Sequence, residues 1–276
     1  MIAVISGLVV GMVVTLPWAF LAQANLTHWS AVPWAAPLTA AYVWLWWQYA
    51  SGHGWPRSTR ETRRQGLRAN AIAHDVWGAA LLAGALGLAA SVIVLRLTSR
   101  LTAIPEQPLP ESHASAVTLL VLSLTGAVVA GVVEEASFRG YIQGPLEKRY
   151  GSAVAILITG TVFGLAHFNH PGVLAMMPFY LTVATTYGTI AYLTNSILPG
   201  IVLHAGGDAL GAVTVLAQGR QTSSLPLPAA STSMPLLSLI LMLIAVVASA
   251  LFAFRALAQM VRVADARAIG SRSSVT

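Results

Sequence analysis

The chain has 276 residues, 56% of them hydrophobic and only 9% charged, whereas a soluble globular domain carries about a quarter charged residues, so a soluble domain is excluded. The formal charge of +6 comes from 15 Lys and Arg against 9 Asp and Glu, but these basic residues lie between apolar runs, where they meet a membrane surface and set orientation instead of binding nucleic acid. The absence of cysteine excludes disulfides, thiolate zinc sites and a cysteine nucleophile.

A helix needs about twenty apolar residues to cross a bilayer. Measured along the chain, that length picks out Ile2 to Leu21, Val32 to Tyr49, Val76 to Leu95, Ala114 to Val133, Ser152 to His167, Val173 to Leu193, Ile197 to Ala217 and Pro235 to Phe254, the fifth being short. The expectation is an all-α, polytopic integral membrane protein with about eight transmembrane helices. Residues 1–113 would hold the first three helices and a basic loop, 114–217 a core of four, and 218–276 a loop, the last helix and a basic tail, all in one structural domain.

Ala22, Gln23 and Ala24 resemble a small-residue cleavage site, but the first segment lacks a basic leader and is expected to stay as a helix. Arg57, Arg60, Arg63, Arg64 and Arg68 read as a basic helix lying on an anionic leaflet. With the N-terminus inside, twelve Lys and Arg fall on the inner side and three outside, which predicts a multi-pass protein of the cell membrane with both termini cytoplasmic. The Pro-containing stretch Leu101 to His113 and the Ser-, Thr- and Pro-rich stretch Gln218 to Pro235 read as irregular external connections.

Ionisable residues within the apolar segments are few, and such groups usually face a cavity or a partner. His74 and Asp75 sit beside the basic loop, where an Asp at a helix start is an ordinary dipole partner. The apolar run ending at Val133 leads straight into Glu134 and Glu135. Glu135 and Arg139 are four apart and suited to an intrahelical ion pair, whereas Glu134 points about a hundred degrees away and stays free to take a proton from water. Phe163 and His167 share a helix face, and so do His204 and Asp208, with Gly206 and Gly207 leaving room for a close approach. Three helices each offering a polar cluster imply a shared cavity. Helix rise would put His167 nearly twice as deep as His204 if its helix starts at Ser152, so the clusters meet only if the fourth helix continues past Glu135 within a cytoplasm-open cavity and the fifth starts outside the bilayer.

In that order, Glu134-Glu135-x-x-x-Arg139, Phe163-x-x-x-His167 and His204-x-x-x-Asp208 resemble the three motifs of the CAAX-protease and bacteriocin-processing (CPBP) family of intramembrane proteases, relatives of the type II CAAX prenyl endopeptidase. The resemblance covers roughly Val117 to Val215. It implies an endopeptidase cutting a peptide or protein substrate, lipidated or not, near the cytoplasmic membrane face. Glu134 and His167 would activate a water, His204 would donate to the oxyanion, Asp208 would orient His204, and Glu135 with Arg139 and Phe163 would support them. Many members carry Asn where this chain has Asp208; an ionised carboxylate cannot donate to an oxyanion, so Asp208 is protonated, orients His204, or helps hold a metal. No cofactor is certain. A divalent metal such as zinc is a second option, with Glu134, His167, His204 and Asp208 as candidate ligands, although the soluble zinc-protease signature is absent and metal-independent chemistry is favoured. A proton-coupled transporter and a noncatalytic immunity or scaffold relative are the alternatives; the first would show inverted repeats, which the sequence lacks.

Overall fold

The computed structural model of the chain describes residues 2–104, 114–170, 172–217 and 234–273. Among these, every regular element is helical and no strand occurs. In chain order the elements are α1 (Ile2–Thr27), α2 (Ala35–Ala50), a 3-10 turn (Arg57–Thr59), α3 (Arg60–Leu67), α4 (His74–Leu101) and α5 (Ala116–Glu134). A π-helical segment (Glu135–Gln143), α6 (Gly144–Tyr150), α7 (Ser152–Ala166), α8 (Met177–Thr194), α9 (Leu198–Ala217) and α10 (Leu236–Ser273) follow.

Five stretches are long and apolar enough to cross a membrane: α1, α4, the continuous rod from Ala116 to Tyr150, α9 and α10. The chain therefore reads as a multi-pass membrane protein, with fewer full-length spans than the eight expected. At 16 and 15 residues α2 and α7 fall short of the twenty or so that a bilayer requires, and the 18-residue α8 carries Thr and Tyr that turn inward, Thr186 and Tyr187 among them. Helix α10 runs on through the stretch read as a basic tail; its 38 residues reach about 57 Å, nearly twice the hydrocarbon thickness of a bilayer. Its added length packs on the start of α4, where Leu257 meets Val76 and Ala80.

Small residues explain how the bundle closes. With apolar lipid outside, helices associate by close packing, which small side chains allow. The buried face of α4 includes Ala80, Ala83, Gly84, Gly87 and Ala90 and serves α8, α9 and α10 together. Gly131 of α5 lies so near α9 that a Cβ there would stand 2.9 Å from the Ala205 nitrogen. Helix α1 leans on the π segment, Gly7 against Ile142 and Gly11 against Ser137.

Polar anchors fix the connections. Asn25, fully buried near the end of α1, donates through Nδ2 to the Val32 carbonyl and accepts from the Ala35 N–H, both at 2.9 Å, closing the turn into α2. Ser115 caps α5 by accepting from the Thr118 N–H at 3.1 Å. Its own N–H and hydroxyl donate to the Ser30 and Ala31 carbonyls, tying that helix end to the α1–α2 connection.

The basic run differs from expectation, because two of its five arginines point inward. Arg63 spends its guanidinium on the Tyr49, Gly54 and Pro56 carbonyls, at 2.7, 2.7 and 3.0 Å, and lies over the Tyr49 ring. Arg68 is equally buried. A five-donor planar group can satisfy several loop carbonyls at once, which outweighs its hydration in a crowded turn. Arg57, Arg60 and Arg64 remain exposed. Of the two irregular connections, 105–113 and 218–233 lie outside the described residues.

Candidate active site

The three motif helices converge. Helix α5 does not stop at the glutamates: it continues as a π segment and α6 to Tyr150, which is the extension that the depth argument required. Glu134 is the last residue of α5 and Glu135 the first of the π segment, and such wide turns recur at functional sites.

Glu135 is the hub. Its Oε1 accepts from Arg139 Nη1 at 3.0 Å and from His204 Nδ1 at 3.0 Å, with Glu135 and Arg139 both fully buried. Helix α9 reaches it because Gly200 stands opposite; a Cβ there would fall 2.7 Å from Glu135 Oε2. A carboxylate only accepts, so His204 carries a proton on Nδ1 and turns Nε2 toward Glu134 and Asp208. That nitrogen lies 3.7 Å from Glu134 Oε2 and 3.7 Å from Asp208 Oδ2, beyond hydrogen-bond length but within strong electrostatic reach. Glu135 is thus the group hydrogen-bonded to His204, a part the sequence reading gave to Asp208.

Glu134 is free, as its different face predicted: its side chain is about a quarter exposed and its Oε2 has no hydrogen-bond partner. Asp208 is half-exposed. Among the described residues, no atom of another element stands within 4 Å of where a Cβ on Gly206 or Gly207 would be, so neither glycine packs against a described neighbouring helix.

His167 closes α7 and is joined to the cluster through rings. Its Nδ1 donates to the Phe163 carbonyl at 2.8 Å, which leaves the Nε2 lone pair of the neutral ring available. The Phe163 ring lies 4.8 Å from the His167 ring and 6.4 Å from that of His204, and the Arg139 guanidinium stands over it at 4.8 Å.

Sequence reasoning missed two tyrosines. Tyr187 stacks on His204 at 5.1 Å and takes the other face of Arg139. Tyr180 stacks on His167 at 4.6 Å and meets His170 Nδ1 at 2.9 Å through its hydroxyl. Their spacing of seven places both on one face of α8, a signal present in the sequence but lost in an apolar span.

Among the described residues, no three His, Asp or Glu side chains are placed to hold a metal ion together.

Residues 116–210 resemble the Rce1-like family. The matching family model is described as type II CAAX prenyl endopeptidase Rce1-like, and the match takes in every motif residue from Glu134 to Asp208 over about a third of the chain. No curated protein and no solved structure gave a match. The Rce1-like family implies protease activity at the level of the family, in agreement with the resemblance drawn from the three motifs.

Proposed function

We propose that the chain is an intramembrane endopeptidase that hydrolyses a peptide bond of a peptide or protein substrate, lipidated or not, near the cytoplasmic membrane face. The observation that carries this reading is the pairing of an unbonded carboxylate, Glu134, with an imidazole, His204, that a second carboxylate holds fixed. In the cell membrane both termini would be cytoplasmic, with the exposed Arg57, Arg60 and Arg64 on the inner leaflet.

A water between Glu134 and His167 gives its proton to the Glu134 carboxylate while hydrogen-bonding to His167 Nε2, and its oxygen attacks the scissile carbonyl carbon. The C=O electrons move onto oxygen, and the proton on His204 Nε2 faces the oxyanion. Collapse of the tetrahedral adduct breaks the C–N bond, and the proton held by Glu134 passes to the leaving amine. Glu135 keeps Nδ1 occupied, so Nε2 is the donor on the cavity side. Asp208 adds negative charge beside Nε2 and supports the doubly protonated ring.

The test compares membranes of cells that produce the wild-type chain or Glu134→Gln, reading newly formed protein termini by mass spectrometry. Termini that appear with the wild type and fall by about a hundredfold with the variant support the reading, since general-base catalysis is typically worth that much or more. An identical set of termini from both chains would overturn it.

A further inference from the structure

Arg68 lies outside the region that resembles the Rce1-like family, yet its side chain stands where the three site-bearing elements meet. Its Nη2 donates to the Ala191 carbonyl at 2.7 Å, and its Nε donates to Asn195 Oδ1 at 3.3 Å, both at the end of α8. Nη1 donates to the Arg139 carbonyl in the π segment at 3.4 Å and pairs with Glu147 of α6 at 3.2 Å. The Arg68 carbonyl accepts from the Ile197 N–H at 3.0 Å, immediately before α9. One residue therefore binds the π segment that holds Glu135, the helix that supplies Tyr180 and Tyr187, and the entrance to the helix that supplies His204.

The backbone at Arg68 is unusual for its residue type. Arg68 ends α3 with φ +56°, a left-handed conformation in which glycine is the usual residue at a helix C-terminus. A bulky side chain holds that conformation only where its surroundings over-determine it. A glycine stands two residues earlier, at Gly66, where it lets α3 approach the Tyr141 ring. At Gly140, in turn, a Cβ would meet the Gly66 and Leu67 carbonyls, each at 2.9 Å. The end of α3 and the π segment thus touch backbone to backbone, with Arg68 as the clasp. The buried cation also draws on carbonyls that a helix end or a wide turn leaves short of partners.

We propose that Arg68 is a positioning residue: by joining the π segment, the end of α8 and the start of α9, it fixes the register between Glu135 and His204. The inference rests on the endopeptidase reading for its effect on turnover, but the register itself is open to measurement without a substrate. Protein labelled with 15N-histidine and held in nanodiscs reports the Nδ1–H of His204, assigned by its loss in His204→Gln. The wild type is expected to show an Nδ1 proton shifted far downfield by the carboxylate. In folded Arg68→Gln that signal should move upfield or broaden, while Arg64→Gln, at an exposed arginine paired with Glu61, should leave it alone. Arg68→Lys keeps the charge beside Glu147 but cannot span three acceptors with one ammonium, so it should shift the signal partway; if Arg68→Gln does not fold, this variant decides. Turnover of any substrate found should fall in kcat with KM nearly unchanged, on the order of a hundredfold for an ångström of misplacement. A folded Arg68 variant with the native His204 signal would overturn the proposal. A wild type that shows the signal yet cuts nothing would instead overturn the endopeptidase reading, and the signal would still decide the role of Arg68.

Discussion

Replacing Glu135 by Gln should cost stability before it costs chemistry. The Arg139 guanidinium is fully buried, and its Nε and Nη2 already have no hydrogen-bond partner, so Glu135 is its counter-charge. Removing one partner of a buried ion pair typically costs about 3–5 kcal/mol, since the remaining charge stays in a poorly solvating interior. That corresponds to roughly a hundred- to a few-thousandfold in the folding equilibrium; the Gln amide oxygen can still accept from His204 Nδ1–H, so the loss is that of the charge. Glu134→Gln, by contrast, removes a carboxylate whose buried Oε2 makes no hydrogen bond among the described residues and stands 3.7 Å from His204 Nε2, and should change stability far less, by about 1 kcal/mol. Reversible unfolding in mixed micelles, followed by tryptophan fluorescence, measures both. The double variant Glu135→Gln/Arg139→Gln should recover part of the loss, giving a coupling energy on the order of 2 kcal/mol. If folded Glu135→Gln loses less than about 1 kcal/mol, or if the double variant is simply additive, Glu135 is not the counter-charge.

Two glycines of α9 should respond in opposite senses: Gly200→Ala drives a Cβ to 2.7 Å from Glu135 Oε2 and should cost about 1–3 kcal/mol, whereas Gly206→Ala meets open space and should be neutral or stabilising by up to about 1 kcal/mol. Exhaustive treatment with EDTA or phenanthroline should leave cleavage intact; loss that stoichiometric zinc restores would make His167 and His204 ligands instead of acid–base groups. Reporter fusions after Arg64 and after Arg149 should be cytoplasmic and one after Gln221 external, and an external signal at Arg64 would reverse the topology.

The residues that gather at the candidate site were legible because their spacing is a geometric statement. Glu135 and Arg139, four apart, could be paired on paper, and they are; His204 and Asp208, four apart, share a face. What spacing cannot show is a partner on another helix, so the bond from His204 to Glu135, 69 residues away, was invisible and its role fell to the nearest carboxylate in sequence. Arg63 and Arg68 were misread for a related reason: a run of arginines in a connecting segment reads as a solvated face, and only the fold shows which guanidiniums find loop carbonyls. The count of spans was set by a length of apolar sequence, which treats α2, α7 and α8 as complete crossings. The structure instead makes α2 and α7 short and turns Thr and Tyr side chains of α8 inward. The helical course of α10 beyond Phe254 was obscured by its charges, although the Ala-rich stretch after Arg255 favours a helix.

The cap at Ser115 has mechanical weight. From that residue the rod runs without a break to Glu134, nineteen helical residues or about 28 Å away, and on through the π segment. A rod clamped at one end to the Ser30 and Ala31 carbonyls and bearing Glu134, the carboxylate proposed as general base, near the other has the geometry of a lever. A tilt of the α1–α2 connection would be carried along the rod to Glu134, so the placement of Glu134 against His204 depends in part on a turn at the far end of the helix.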